Sequence, residues 1–207
     1  MSLVFPRLYA IMSAPFSDSS GMAFSELLVD AGVKLIQIRA KSFTSRRFLE
    51  LATRIADFCG RNAARVIVND RPDVARLSGA GGVHLGQDDM PVDLARLVCG
   101  HGLWIGISTH SLVQVQRAEA TAVDYVAVGP IFPTLTKESP EPVVGIDFIR
   151  AARRLTTKPL VAIGGITLAR VREVLEAGAD SVAVARDLFC APDIKQRVQQ
   201  YLLAVAG

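Results

Sequence analysis

The sequence predicts a single compact closed barrel of alternating strands and helices, a (β/α)8 TIM barrel of the α/β class, on three observations. A short run rich in β-branched residues recurs eight times along the 207 residues. Each run leads through a polar turn into an amphipathic stretch. The rival architecture, an open doubly wound sheet, carries G-x-G-x-x-G in its first turn, and "IMSAPFSDSSG" offers none. No linker or low-complexity segment interrupts the pattern, so one catalytic domain is expected over residues 1–207.

The eight runs are "RLYAIM" (7–12), "VKLIQIRA" (33–40), "ARVIVND" (64–70), "GVHLGQ" (82–87), "WIGIST" (104–109), "YVAVGP" (125–130), "LVAIGGI" (160–166) and "SVAVAR" (181–186). Continuous apolar runs of this length suit strands buried on both faces, as in a parallel sheet. Between them, "SRRFLELATRIADFCG" places Phe48, Leu51, Ile55 and Phe58 on one helical face, with Gly60 as the expected stop. "LARVREVLEAGAD" groups Leu168, Val171, Val174 and Leu175, with Thr167 as the expected N-cap and Gly178 closing the helix. "SLVQVQRAEATAVD" and "IDFIRAARRLT" read the same way. Glycine precedes the strand in "AGVKLIQIR", "AGGVHLG" and "EAGADSVAV", the expected helix stop before the chain re-enters the sheet.

Composition narrows the function classes. A net charge of +3, scattered along the chain, argues against nucleic acid and suits a small anionic ligand. Cys59, Cys99 and Cys190 are odd in number and far apart, which suits neither a disulfide framework nor a metal cluster and fits a reducing cytoplasm. "MSLVFPRLYAIM" does not read as a signal peptide, and no apolar stretch is long enough to span a membrane. A homo-oligomer stays open.

A barrel gathers its functional residues at the C-terminal strand ends. The second run ends in "QIRAKS", where Gln37, Arg39 and Lys41 alternate onto one side and two cations make a place for a polyanion. The third ends at Asn69 and Asp70, and the fourth continues into His84, Gln87, Asp88 and Asp89. Carboxylates from two neighbouring strand ends suit Mg²⁺ that keeps waters and meets ligand phosphates. An Asp after a strand also serves as an N-cap, and His84 inside its strand suits a hydrogen-bonded core position as well as a ligand contact. The fifth run supplies Ser108, Thr109 and His110. The sixth opens "VAVGPIFPTLTKE", a buried strand that breaks into a proline-stiffened turn carrying Thr134, Thr136 and Lys137. Residues 131–144, with Pro133, Pro140 and Pro142, are long enough to be expected as a lid. After the seventh run, Gly164 and Gly165 leave backbone N–H groups open to an anion, at the usual phosphate site of this fold. No nucleophile motif and no zinc spacing is present, so electrostatic stabilisation of a leaving group is favoured over covalent catalysis.

Taken in order, "QIRAKS", "VND", "GVHLGQDD", "GISTHS", "VGPIFPTLTKE", "VVGI", "AIGGIT" and "AGADSVAV" resemble the thiamine phosphate synthase family. The resemblance runs from the second strand to the eighth. It implies an enzyme that joins hydroxymethylpyrimidine pyrophosphate to thiazole phosphate, with pyrophosphate leaving first and the thiazole nitrogen capturing the pyrimidine methyl cation. It implies Mg²⁺ on Asp70 and Asp89. Arg39, Lys41, Ser108 and Lys137 would be the catalytic grip on pyrophosphate, with Asn69 sharing it and Gln37 lining the same pocket. Thr134, Thr136 and the backbone at Gly164 and Gly165 would hold the thiazole phosphate. Where many relatives carry a serine-containing turn after the eighth strand, this chain has Ala185, Arg186 and Asp187, so Arg186 is the expected substitute or else faces solvent. The alternatives are a thiazole tautomerase of the same superfamily and a non-catalytic, phosphate-binding regulatory barrel.

Overall fold

The computed structural model describes residues 5–13, 16–134 and 141–206. All eight predicted runs form strands: β1 (Leu8–Ser13), β2 (Leu35–Arg39), β3 (Arg65–Asn69), β4 (Gly82–Leu85), β5 (Trp104–Thr109), β6 (Tyr125–Val128), β7 (Leu160–Ala162) and β8 (Ser181–Val184). Each pairs in parallel with the next, and β8 returns to β1 to close the barrel. The helices on the outside are α1 (Asp18–Asp30), α2 (Ser45–Arg61), α3 (Pro72–Leu77), α4 (Val92–Cys99), α5 (Leu112–Glu119), α6 (Ile146–Arg153), α7 (Val171–Glu176), α8 (Arg186–Phe189) and α9 (Ile194–Ala206). None among the described residues is long and apolar enough to cross a membrane.

The two-residue period of a strand sorts every strand into an outer and an inner set. Outer positions such as Ala10 and Met12, Ile36 and Ile38, Val66 and Val68, and Val126 and Val128 join the helix faces in one large apolar cluster. Inner positions Tyr9, Leu35, Ile67, Tyr125, Ala127, Val161 and Ala183 form a second, smaller cluster, with Phe5 packed beneath them. Moving up the same inner rows, the side chains turn polar: Leu35 gives way to Gln37 and Arg39, Ile67 to Asn69, and Trp104 to Gly106 and Ser108. The barrel is therefore plugged by hydrocarbon and aromatic rings below and lined with hydrogen-bonding groups above. This gradient is what places a polar site at the C-terminal end.

Gly106 makes the central aromatic layer possible. A Cβ there would lie 2.0 Å from the Tyr125 ring, so the ring occupies the volume a side chain would need. Two local expectations are corrected. Gly60 lies inside α2, which runs on to Arg61; Asn62 caps it and Ala63 takes the left-handed turn at φ 53°. Thr167 has the extended backbone of a cap but makes no side-chain cap hydrogen bond, and the segment after it begins as a 3-10 turn at Leu168–Arg170 before α7. Gly178 ends that helix as expected, at φ 109°.

Candidate active site

The C-terminal mouth of the barrel opens into a cavity of about 940 Å³. Its wall includes Gln37, Arg39, Lys41, Asn69, Asp70, His84, Asp89, Ser108, Thr134, Gly164, Gly165 and Arg186. Of the strand-end candidates within the described part of the chain, all but Thr109 meet one space. Thr136 and Lys137 lie outside the described residues, as does the middle of the expected lid, 135–140.

The acidic pair sits as neighbouring strands dictate. Asp70 directly follows β3 at φ 64°, a left-handed conformation that Asp tolerates better than most residues. Its backbone N–H donates to the His84 carbonyl on β4 at 2.8 Å. Its carboxylate pairs with Lys41 Nζ at 3.1 Å and faces the Asp89 carboxyl. Asp89 Oδ2 accepts the Gly86 N–H at 2.6 Å. Burial pushes the Asp89 carboxyl above the usual range, the Gly86 amide pulls it back, and the facing Asp70 carboxyl pushes it up again. Two carboxyl groups facing each other in this way suit a small hard cation. No cluster of three or more metal-ligating side chains occurs among the described residues, so a cation here would complete its shell with water and ligand oxygens.

Deeper in the barrel, hydrogen bonds cross from one wall to the other. Gln37 Nε2 donates to Tyr9 OH at 2.7 Å, and Tyr9 OH and Tyr125 OH lie 3.1 Å apart. Tyr125 OH meets His84 Nδ1 at 2.9 Å, and His84 Nε2 meets Ser108 Oγ at 2.8 Å. Gln87 Nε2 donates to the Ser108 carbonyl at 2.7 Å. His84 is thus both a hydrogen-bonded interior residue and part of the cavity wall. Above it, Arg39 Nη1 donates to Ser13 Oγ at 3.2 Å. Thr109, by contrast, is fully buried and donates to the Ala127 carbonyl, which makes it a strand-to-strand tie.

The other half of the mouth is built by close backbone approach. Gly164 and Gly165 have φ of 87° and 65°, and a Cβ on either would stand 2.5 Å from the turn after β6, at Pro130 Cβ and at the Pro133 carbonyl respectively. Only glycine lets the turns after β6 and β7 touch. Arg170 ties them further: its guanidinium lies 4.0 Å from the centre of the Phe132 ring and donates to the Gly165 carbonyl at 3.2 Å. Arg186 faces the same cavity, and Arg197 pairs with Asp187 beside it. Sequence reasoning missed Tyr9, Arg170 and Arg197. All three line the cavity.

A (β/α)8 enzyme for phosphate-bearing ligands is the class that this barrel and mouth define. The family profile described as thiamine monophosphate synthase matches residues 8–188. The chain belongs to that family. It is 46% identical over 205 residues to the thiamine-phosphate synthase of Koribacter versatilis, covering 97% of this chain and 96% of that protein. It is 41% identical to the thiamine-phosphate synthase of Acidothermus cellulolyticus, covering 100% and 98%. Among solved structures, thiamine phosphate pyrophosphorylase from Pyrococcus furiosus superposes with a TM-score of 0.86 at 31% identity, covering 97% of this chain and 95% of that one.

Proposed function

We propose that this chain is a thiamine-phosphate synthase, a transferase that joins hydroxymethylpyrimidine pyrophosphate to thiazole phosphate and releases pyrophosphate, acting in the cytoplasm as a single barrel domain. The observation that carries the reading is the meeting of Asp70 and Asp89 beside Lys41 in a cavity that also holds Arg39, Asn69 and Ser108. That set suits a pyrophosphate with its metal. Isomerisation of a thiazole phosphate releases no pyrophosphate and so gives the acidic pair no leaving group to serve.

In this reading Asp70 and Asp89 hold Mg²⁺, which when bound neutralises charge on the departing pyrophosphate. Arg39 and Lys41 bind the same oxygens as cations, and Ser108 and Asn69 bind them as neutral donors. Lys137, delivered by the turn after β6, meets the charge that builds on the oxygen leaving carbon. Its effect is then larger in the transition state than in the substrate. Thr134, Thr136, the Gly164–Gly165 backbone and Arg186 hold the thiazole phosphate so that its ring nitrogen faces the pyrimidine methylene carbon. As the C–O bond breaks, the electron pair leaves with pyrophosphate, and the nitrogen lone pair forms the new C–N bond. No protein nucleophile is needed. The test is the product: the purified protein, given both substrates and Mg²⁺, should form thiamine phosphate, identified by mass. Isomerisation of the thiazole phosphate without condensation would favour the tautomerase reading.

A further inference from the structure

The buried bonds from Gln37 to Ser108 join side chains of five strands, β2, β1, β6, β4 and β5 in turn, into one chain. Such a chain has a direction, because each phenol carries one proton and each neutral imidazole one N–H. Burial raises both tyrosines well above the ordinary phenol range, so both protons stay in place. The direction is set at the Gln37 end, where the amide nitrogen, a donor only, faces Tyr9. Within the chain the buried Tyr9 proton then has only Tyr125 OH as acceptor, and the Tyr125 proton only His84 Nδ1, so pairing both runs the chain toward His84. The imidazole proton is left on Nε2 and is donated to Ser108 Oγ. At the far end of the chain the Ser108 proton has no acceptor inside it, and Ser108 lines the cavity.

We propose that Tyr9 and Tyr125 are positioning residues that fix His84 as its Nε2–H tautomer and so make Ser108 a hydrogen-bond donor to the ligand. The inference deepens the function proposed above and rests on it in one respect, that Ser108 meets pyrophosphate oxygens. Those oxygens only accept. Were the chain reversed, Ser108 would spend its proton on His84 and turn lone pairs toward an anion. Gly106 serves the same arrangement, since its missing Cβ makes room for the Tyr125 ring that bridges Tyr9 and His84.

Two measurements test this without requiring turnover. In ¹⁵N NMR of the intact protein, His84 should show a protonated Nε2 and a bare Nδ1. Tyr125→Phe removes the donor to Nδ1 and should give a mixture of tautomers; Tyr9→Phe should shift the balance the same way by a smaller amount. The second measurement is the affinity for inorganic pyrophosphate with Mg²⁺. Ser108→Ala should weaken it about tenfold, and Tyr125→Phe by about three- to tenfold, the range of one lost hydrogen bond. Because the tyrosine acts through the serine, the double variant should bind no worse than Ser108→Ala alone; independent structural damage would instead multiply. A protonated Nδ1 in the wild-type protein, or multiplicative losses in the cycle, would overturn the proposal. Should Tyr125→Phe not fold, the wild-type spectrum and the same cycle with Tyr9→Phe decide. A protein that shows this coupling yet makes no thiamine phosphate would refute the proposed function and leave the inference standing.

Discussion

The carboxyl groups of Asp70 and Asp89 face each other across the gap between two neighbouring strand ends, and Asp70 adds to the burial that holds the Asp89 carboxyl above its usual range. Two like charges facing each other call for compensation by a cation. Lys41 supplies part of that compensation at 3.1 Å from Asp70. If Mg²⁺ supplies the rest, Asp70→Asn and Asp89→Asn should each weaken Mg²⁺ activation by tenfold or more with the fold intact. Asn is preferred to Ala at position 70 because φ is 64° there, where Ala adds strain. Mg²⁺ titrations of initial rate check this, and an unchanged activation constant in both variants would remove the metal from the pair.

Lys137 is the residue whose loss should harm the chemical step most. Removing one donor aimed at developing charge typically slows turnover by about 10²–10³. Lys137→Ala should show that loss in single-turnover rate with little change in thiazole phosphate affinity. Thr136→Ala should show the opposite bias. Near-normal turnover in Lys137→Ala would assign the lysine to solvent.

Gly165→Ala tests the contact between the turns after β6 and β7. Its Cβ would stand 2.5 Å from the Pro133 carbonyl at a backbone angle of 65°. The turn must move, and the expected result is a raised KM for thiazole phosphate with the pyrimidine substrate's KM nearly unchanged. Equal changes in both constants would contradict the division of the mouth into two halves.

Arg71 and Asp73 give a pH-dependent contribution to the turn that presents Asp70. Arg71 Nε donates to Asp73 Oδ1 at 2.8 Å, and this hydrogen bond holds the Asp73 carboxyl below the usual carboxylate range. A lowered folded-state value means the stabilisation is present above the ordinary carboxylate value and is lost as pH falls through the lowered one. Asp73 is half exposed, so the contribution is under about 1 kcal/mol. Asp73→Asn should lower Tm slightly at neutral pH and have no effect in strong acid. A Tm difference that persists in strong acid would trace to something other than this charge.

The fold was legible because each strand carries a β-branched run between helix stops, and local patterns suffice to count them. Most of the cavity wall was legible too, since Gln37, Arg39, Asn69, Asp70 and Ser108 sit where strands run out and apolar side chains give way to polar ones. The links among them were not. Tyr9, His84 and Tyr125 come from β1, β4 and β6, and they become neighbours only when the barrel closes. Gly106 reads as an ordinary small residue until the ring that fills its place is known. Gly60 failed as a helix stop because its neighbours have enough helical preference to carry the helix one residue further, to Arg61.

The most direct measurement is the initial rate of pyrophosphate release by purified, metal-free protein supplied with hydroxymethylpyrimidine pyrophosphate and thiazole phosphate, singly and together, with and without Mg²⁺. Condensation at this barrel mouth predicts release only when both substrates and Mg²⁺ are present, with one thiamine phosphate formed per pyrophosphate. Release without thiamine phosphate, or no release under any combination, would contradict it.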